Sequence, residues 1–165
     1  MKKVFLLGLV LFTASVVIAH PHFTKTTSVK IGDNEVSVSF FTVPANMSHL
    51  DGLADGEFVS PGRPSLKVSA DLKAGSVSIP AGTYQVGAIK KGDGWIMVPC
   101  PGEFGRGEKP DLSNAITLDS QFNTSAEPVE HLVVDIGPGW GTSQGKAVVL
   151  IGFGTLWLDG VISDT

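Results

Sequence analysis

Thr83-Tyr84-Gln85-Val86-Gly87-Ala88-Ile89, then Lys90-Lys91-Gly92-Asp93-Gly94, then Trp95-Ile96-Met97-Val98, is the stretch whose reading decides the fold. Two runs of β-favouring residues flank a Gly-Asp pair, and glycine supplies the positive φ that a tight reversal needs, so the segment reads as a β-hairpin. Successive side chains of a strand point to opposite faces, which puts Tyr84, Val86 and Ala88 together on one side. The same alternation recurs outward from this hairpin. Val36, Val38 and Phe40 share a face in Glu35 to Phe40, and Leu132, Val134 and Ile136 share one in Glu130 to Ile136. His131, Val133 and Asp135 take the opposite face of that last run.

Gly32-Asp33-Asn34 predicts the turn between a strand from Thr27 and a strand from Glu35. Gly137-Pro138-Gly139-Trp140-Gly141 starts a connection into Lys146–Ile151, and Thr155–Ile162 reads as a separate final strand. No segment holds the three-to-four-residue apolar recurrence of a helix over three turns. The 20 glycines and 10 prolines cut the chain into short runs instead. The expectation is an all-β fold, a single antiparallel β-sandwich, Greek-key or jelly-roll-like, of roughly eight to ten strands. Two stretches escape the pattern, residues 44–56 and 99–114. Long irregular loops in small domains are often functional, so these two are the candidates for display.

Met1-Lys2-Lys3, the apolar run Val4 to Phe12 and the stretch ending Val17-Ile18-Ala19 read as a secretory signal peptide cleaved after Ala19. Residues 20–165 then form one domain. Lys2 and Lys3 are the only charges removed, so the net charge of −4 becomes −6. That balance excludes a basic footprint for nucleic acid. The N-terminal run is too short to span a bilayer, so no membrane attachment is expected after cleavage. The destination is periplasmic or extracellular. Cys100 is the single cysteine, which excludes an internal disulfide and a thiolate-rich metal centre. Flanked by Pro99 and Pro101, it reads as a small buried residue, with a metal ligand or reactive thiol as the alternative.

Ile79-Pro80-Ala81-Gly82-Thr83-Tyr84-Gln85-Val86, followed by Gly94-Trp95-Ile96-Met97, resembles a family of exported bacterial proteins known as a domain of unknown function. Asp71-Leu72-Lys73-Ala74-Gly75-Ser76-Val77 looks like that family's preceding strand. The likeness covers Leu66 to Val98. The family's Trp-Arg followed by Gly-Ala-Asn-Glu-Ala is absent here, with Pro44-Ala45-Asn46-Met47 standing at its place. The resemblance implies a small exported β-sandwich and no particular activity. In it, Tyr84 and Trp95 would be cross-strand aromatic partners in the core.

Four histidines are the concentrated chemical resource of the chain. After cleavage His20 carries both a free α-amine and an imidazole, and His22 lies two residues on, on the same side of an extended segment. Such nitrogen donors suit copper, zinc or nickel, with copper favoured. Pro21 has no N–H to surrender. That excludes the square-planar terminal site built on deprotonated amides and leaves a brace completed by a remote histidine. His131, off the core face with Asp135 beside it, is the first candidate, and His49, near the thioether of Met47, is the second. The start also looks like that of exported copper-resistance binding proteins, although no Asp-x-His motif follows. The metal set is therefore His20, His22, His131 and His49, with a solvated N-terminal segment as the plain alternative.

No other pattern carries chemistry. Asp51-Gly52-Leu53-Ala54-Asp55-Gly56-Glu57 lacks the alternation of a calcium loop. Gly102-Glu103-Phe104-Gly105-Arg106-Gly107 lacks the Lys-Ser/Thr end of a phosphate loop. No Gly-x-Ser-x-Gly elbow occurs. Trp140 is the aromatic nearest the surface, expected to pack on its own turn, with glycan or partner contact as the alternative. Two function classes result: an exported metal-binding protein, and a non-catalytic structural or interaction module presenting loops 44–56 and 99–114 to a protein or glycan partner. An enzyme ranks behind both.

Overall fold

The computed structural model describes residues 23–105 and 108–164. The expected signal segment 1–19, His20 and His22 lie outside the described residues. Ten strands follow one another: β1 (Thr24–Ile31), β2 (Asn34–Phe41), β3 (Phe58–Val59), β4 (Ser65–Val68), β5 (Leu72–Ala74), β6 (Val77–Ile79), β7 (Gly82–Lys91), β8 (Gly94–Pro101), β9 (Asp119–Pro138) and β10 (Ala147–Ile162). Every ladder between these strands is antiparallel. Short 3-10 turns at Met47–Leu50, Leu112–Asn114 and Gly141–Ser143 are the only helical pieces among the described residues.

One layer runs β1-β2-β4-β7, with β3 following β4 along the same edge of β7 and β8 on the other edge. The second layer is the β9–β10 hairpin, extended where β10 meets β5. There Lys73 N donates to Ser163 O at 2.9 Å and Ser163 N donates to Lys73 O at 2.8 Å. β6 completes that edge by pairing with β5.

The alternating residues form the core between the layers. Val36, Val38 and Phe40 of β2, Leu66 of β4, and Tyr84 and Val86 of β7 are buried in one cluster with Leu132, Val134 and Ile136 of β9. Full burial of such an aliphatic side chain stabilises by about 1.5–3 kcal/mol, so this face dominates the packing energy. The expected tight turns are present. Ile31 pairs with Asn34 around Gly32-Asp33, and Lys91 pairs with Gly94 around Gly92-Asp93. Gly32 and Gly92 have φ of 60° and 59°, the left-handed region that only glycine enters without cost.

Three expectations need correction. β10 is one strand through Gly152-Phe153-Gly154, where the sequence reads as a break, and β9 begins at Asp119 rather than Glu130. The glycines make an irregularity, not an end: β10 advances from Gly152 to Leu156 while β9 runs from Val133 back to Thr124. Within this excursion β9 bonds residues 43–45 instead, with Ala45 N donating to Glu130 O at 2.9 Å and Leu132 N to Val43 O at 2.8 Å. Pro128 falls in the excursion, where its missing N–H removes no bond to β10. Tyr84 and Trp95 are not partners either. Tyr84 stands opposite Leu66, and Trp95 opposite Lys90. Six residues of strand separate the two sites on β7, about 20 Å.

Candidate functional site

The outer face of β7 is covered, although its residues read as solvent-facing. Gln85 is buried at 6 % exposure. Gly87 lies beneath Phe58, whose ring occupies the place a Cβ would take. The turn that carries this cover is tied down from below, since Ser60 Oγ donates to Val86 O at 2.7 Å and Arg63 N donates to Ser60 O at 3.1 Å. Gly62 fits because it has no side chain: a Cβ there would stand 2.5 Å from Phe41 O. Arg63 is the one non-glycine residue with positive φ among those described, at 47°. A bulky residue is uncommon in that region and is held there by its surroundings.

Between this turn and the following loop lies a cleft of about 770 Å³. Leu53 and Gly56 from the first irregular stretch and Glu108, Pro110 and Leu112 from the second line it, above Phe41, Val43, Phe58 and Gln85. A second depression of about 440 Å³ adjoins it, sharing Phe41, Gly62, Arg63 and Gln85. The volume is that of a small-ligand site.

The cleft's carboxylates are engaged locally. Glu57 Oε2 accepts from Ala54 N at 2.8 Å and Glu108 Oε2 from Gly105 N at 2.7 Å, each within its own loop. Glu103 Oε1 accepts from Ser65 Oγ at 3.1 Å. The donors differ. Among the described residues, Arg63 Nη1 reaches only the Phe104 carbonyl, at 3.4 Å. Gln85 Oε1 accepts from Phe104 N at 3.0 Å, which fixes the amide orientation and turns Nε2 away from that loop.

His131 and His49 lie in the structure as follows. His131 sits in the β9 excursion, bridged to Pro44, and is half-buried. It lines a depression of about 470 Å³ together with Phe23, Lys25 and Thr42. Phe23 is pinned there, its N donating to Thr42 Oγ1 at 3.2 Å and its carbonyl accepting from Thr42 N at 3.2 Å. Phe23, the first described residue, therefore lies beside His131. Asp135 is not beside that ring. It lies four residues along the strand, about 13 Å away, and its Oδ1 accepts from Ile136 N. His49 is exposed on the 3-10 turn Met47–Leu50. Met47 packs on the core in the space left by Gly154, so its sulfur is a packing group rather than a companion of His49. No group of three or more His, Cys, Asp or Glu able to hold a metal occurs among the described residues.

Cys100 is completely buried, and burial pushes its thiol up to about 11. It is the inert residue of the plain reading, since the reactive form is the thiolate. Tyr84 donates its hydroxyl to Pro80 O at 2.6 Å, closing the Pro-Ala-Gly-Thr-Tyr turn. Burial first, and the charge of Asp71 second, raise its pKa. Trp140 departs from expectation: it is 80 % exposed and not packed on its turn.

Gln85 and Arg63 had no signal in the sequence. Gln85 occupies the polar phase of an alternating strand, and Arg63 follows an ordinary Pro-Gly turn. The one available hint was that both loops were irregular and rich in glycine, proline and charge. Searches of protein-family models, curated proteins and solved structures gave no match to this chain.

Proposed function

We propose that this chain is an exported, non-catalytic binding module whose two irregular loops shape one ligand cleft on the outer face of β7. The observation that carries this reading is convergence: residues 53–56 and 108–112, far apart in sequence, line the same 770 Å³ cleft. No nucleophile–base pair was found in the sequence, and the cysteine is buried with its thiol pushed up to about 11, which is why binding is preferred to catalysis. The test is a ¹H–¹⁵N NMR titration of the mature protein with small organic acids, oligosaccharides and short peptides. Shifts confined to Leu53, Gly56, Gln85 and Leu112 support the reading. A panel that moves none of them overturns it.

A specific observation favours a second reading, copper binding by the mature N-terminus. Phe23 and His131 line one depression. His22 is the residue next to Phe23, and His20 is three residues before it, a reach of at most about 11 Å. With cleavage after Ala19, the amine and ring of His20 would join His131 in a brace, with His22 or His49 in support. Copper titration of the mature protein, of a form with one extra N-terminal residue, and of His131→Ala tests this. The brace requires the first to bind at least tenfold tighter than the other two, and equal affinities would sink it.

A further inference from the structure

Resting on the cleft reading, we infer that the ligand of the cleft is a small amphiphilic carboxylate, its acid group on Gln85 Nε2 and Arg63 and its apolar body against Phe58, Leu53 and Leu112. Gln85 is the key residue. Its side chain is more than nine-tenths buried, and its oxygen is taken by Phe104 N. Nε2 has no hydrogen-bond partner among the described residues. No fully buried side-chain nitrogen or oxygen lacks a partner, so Nε2 reaches open space. The spaces that Gln85 lines are the cleft and its adjoining depression. An amide donor held at the mouth of a nine-tenths-buried side chain is placed to give its hydrogen bonds to a ligand acceptor in exchange for water.

Arg63 lines both of the same spaces. Among the described residues its guanidinium bonds a single carbonyl and no carboxylate, leaving most of its N–H fork for a ligand. Phe104 links the two groups, its carbonyl accepting from Arg63 Nη1 and its N donating to Gln85 Oε1. The three nearby glutamates each accept one hydrogen bond, from their own loops or from Ser65, which holds those carboxylates to their loops, while Gln85 Nε2 and most of the Arg63 fork make no bond to a described residue. That asymmetry selects an acceptor-only group with two oxygens. The walls beyond it are mixed: Leu53, Phe58 and the exposed Leu112 supply apolar surface, with Glu57, Glu108 and Lys109 among them.

The experiment uses 4-phenylbutyrate and its uncharged counterpart 4-phenylbutan-1-ol, titrated into the mature protein by calorimetry and NMR. The acid is expected to bind at least about tenfold tighter than the alcohol, the scale of one charge-assisted contact. Arg63→Gly keeps the positive φ and removes the charge. Gln85→Glu keeps the acceptor for Phe104 N and replaces the donor with a repelling carboxylate. Each should weaken the acid about tenfold and leave the alcohol within about twofold. Thermal melts check that both fold, and Arg63→Gly alone decides the matter if Gln85→Glu does not. Equal binding of acid and alcohol, or an Arg63→Gly protein that binds the acid unchanged, overturns the carboxylate inference and leaves the cleft reading intact. Oligosaccharide shifts in the cleft without acid shifts do the same. A cleft that responds to no probe in the wider panel overturns both.

Discussion

The two faces of β7 solve the same burial problem in opposite ways. On the inner face, Ala88 and apolar residues of β8, β9 and β10, most of them half-buried, pack together, leaving a shallow apolar depression of about 50 Å³ among Trp95, Phe122, Ile151 and Leu158. On the outer face, Gln85 and Gly87 are buried under turns and loops, and a cleft of about 770 Å³ stays open. Apolar side chains gain by collapsing together. Glutamine, arginine and glutamate instead bond the backbone of the covering loop at discrete points, and space remains between those points. The lesson is that an open site in this sandwich is found where the cover is polar, not where it is thin.

Removing the inner contacts should have the largest effect. Leu66 is completely buried, and Leu66→Ala should cost about 2–5 kcal/mol, read as a drop of roughly 10 °C in Tm. On the outer face the sensitive element is the turn, not the apolar filling. Gly62→Ala faces both positive φ and a Cβ 2.5 Å from Phe41 O. It should cost about 1–3 kcal/mol by urea unfolding and weaken cleft binding with it. A loss for Gly62→Ala larger than that of Leu66→Ala would reverse the ranking of the faces.

Cys100 sharpens the comparison from the chemical side. It stands opposite Gln85 across the β7–β8 ladder, on the outer face, and is fully buried there though outside the main core cluster. Its thiol is pushed from an ordinary 9.0 up to about 11, so the folded state holds this proton more tightly than the unfolded one. The associated stability is fully present below pH 9 and is lost as pH rises through 11. Cys100→Ala should flatten the stability curve across that window, leaving the alkaline loss due to Tyr84. Native protein should also resist alkylation at pH 8, and rapid labelling would mean that the outer cover opens. The smallest effect belongs to Trp140. At 80 % exposure, Trp140→Ala should change stability by no more than about 0.5 kcal/mol in the same melts.

The alternation in β2, β7 and the second half of β9 made the inner core legible, down to Val36, Val38, Phe40, Tyr84, Val86, Leu132, Val134 and Ile136. Alternation reports one buried face only. Gln85 and Gly87 therefore read as solvent-facing, because their cover comes from segments that cross at a distance. Gly152-Phe153-Gly154 read as a stop because a bulge and a strand end share the same residues. Of the candidate metal ligands, the off-core phase of His131 was legible and is observed. Its position in one depression with Phe23 was not legible, because it depends on the pairing of Phe23 with Thr42.

The bond pair between Lys73 and Ser163 joins residues ninety positions apart and adds the β5–β6 edge to the second layer. Closing so long a loop is slow, because its entropy is lost before the contacts that reward it form. The β5–β6 edge cannot dock until residues near the C-terminus have arrived. Order of folding, and not only final geometry, is written into where the last strand lands.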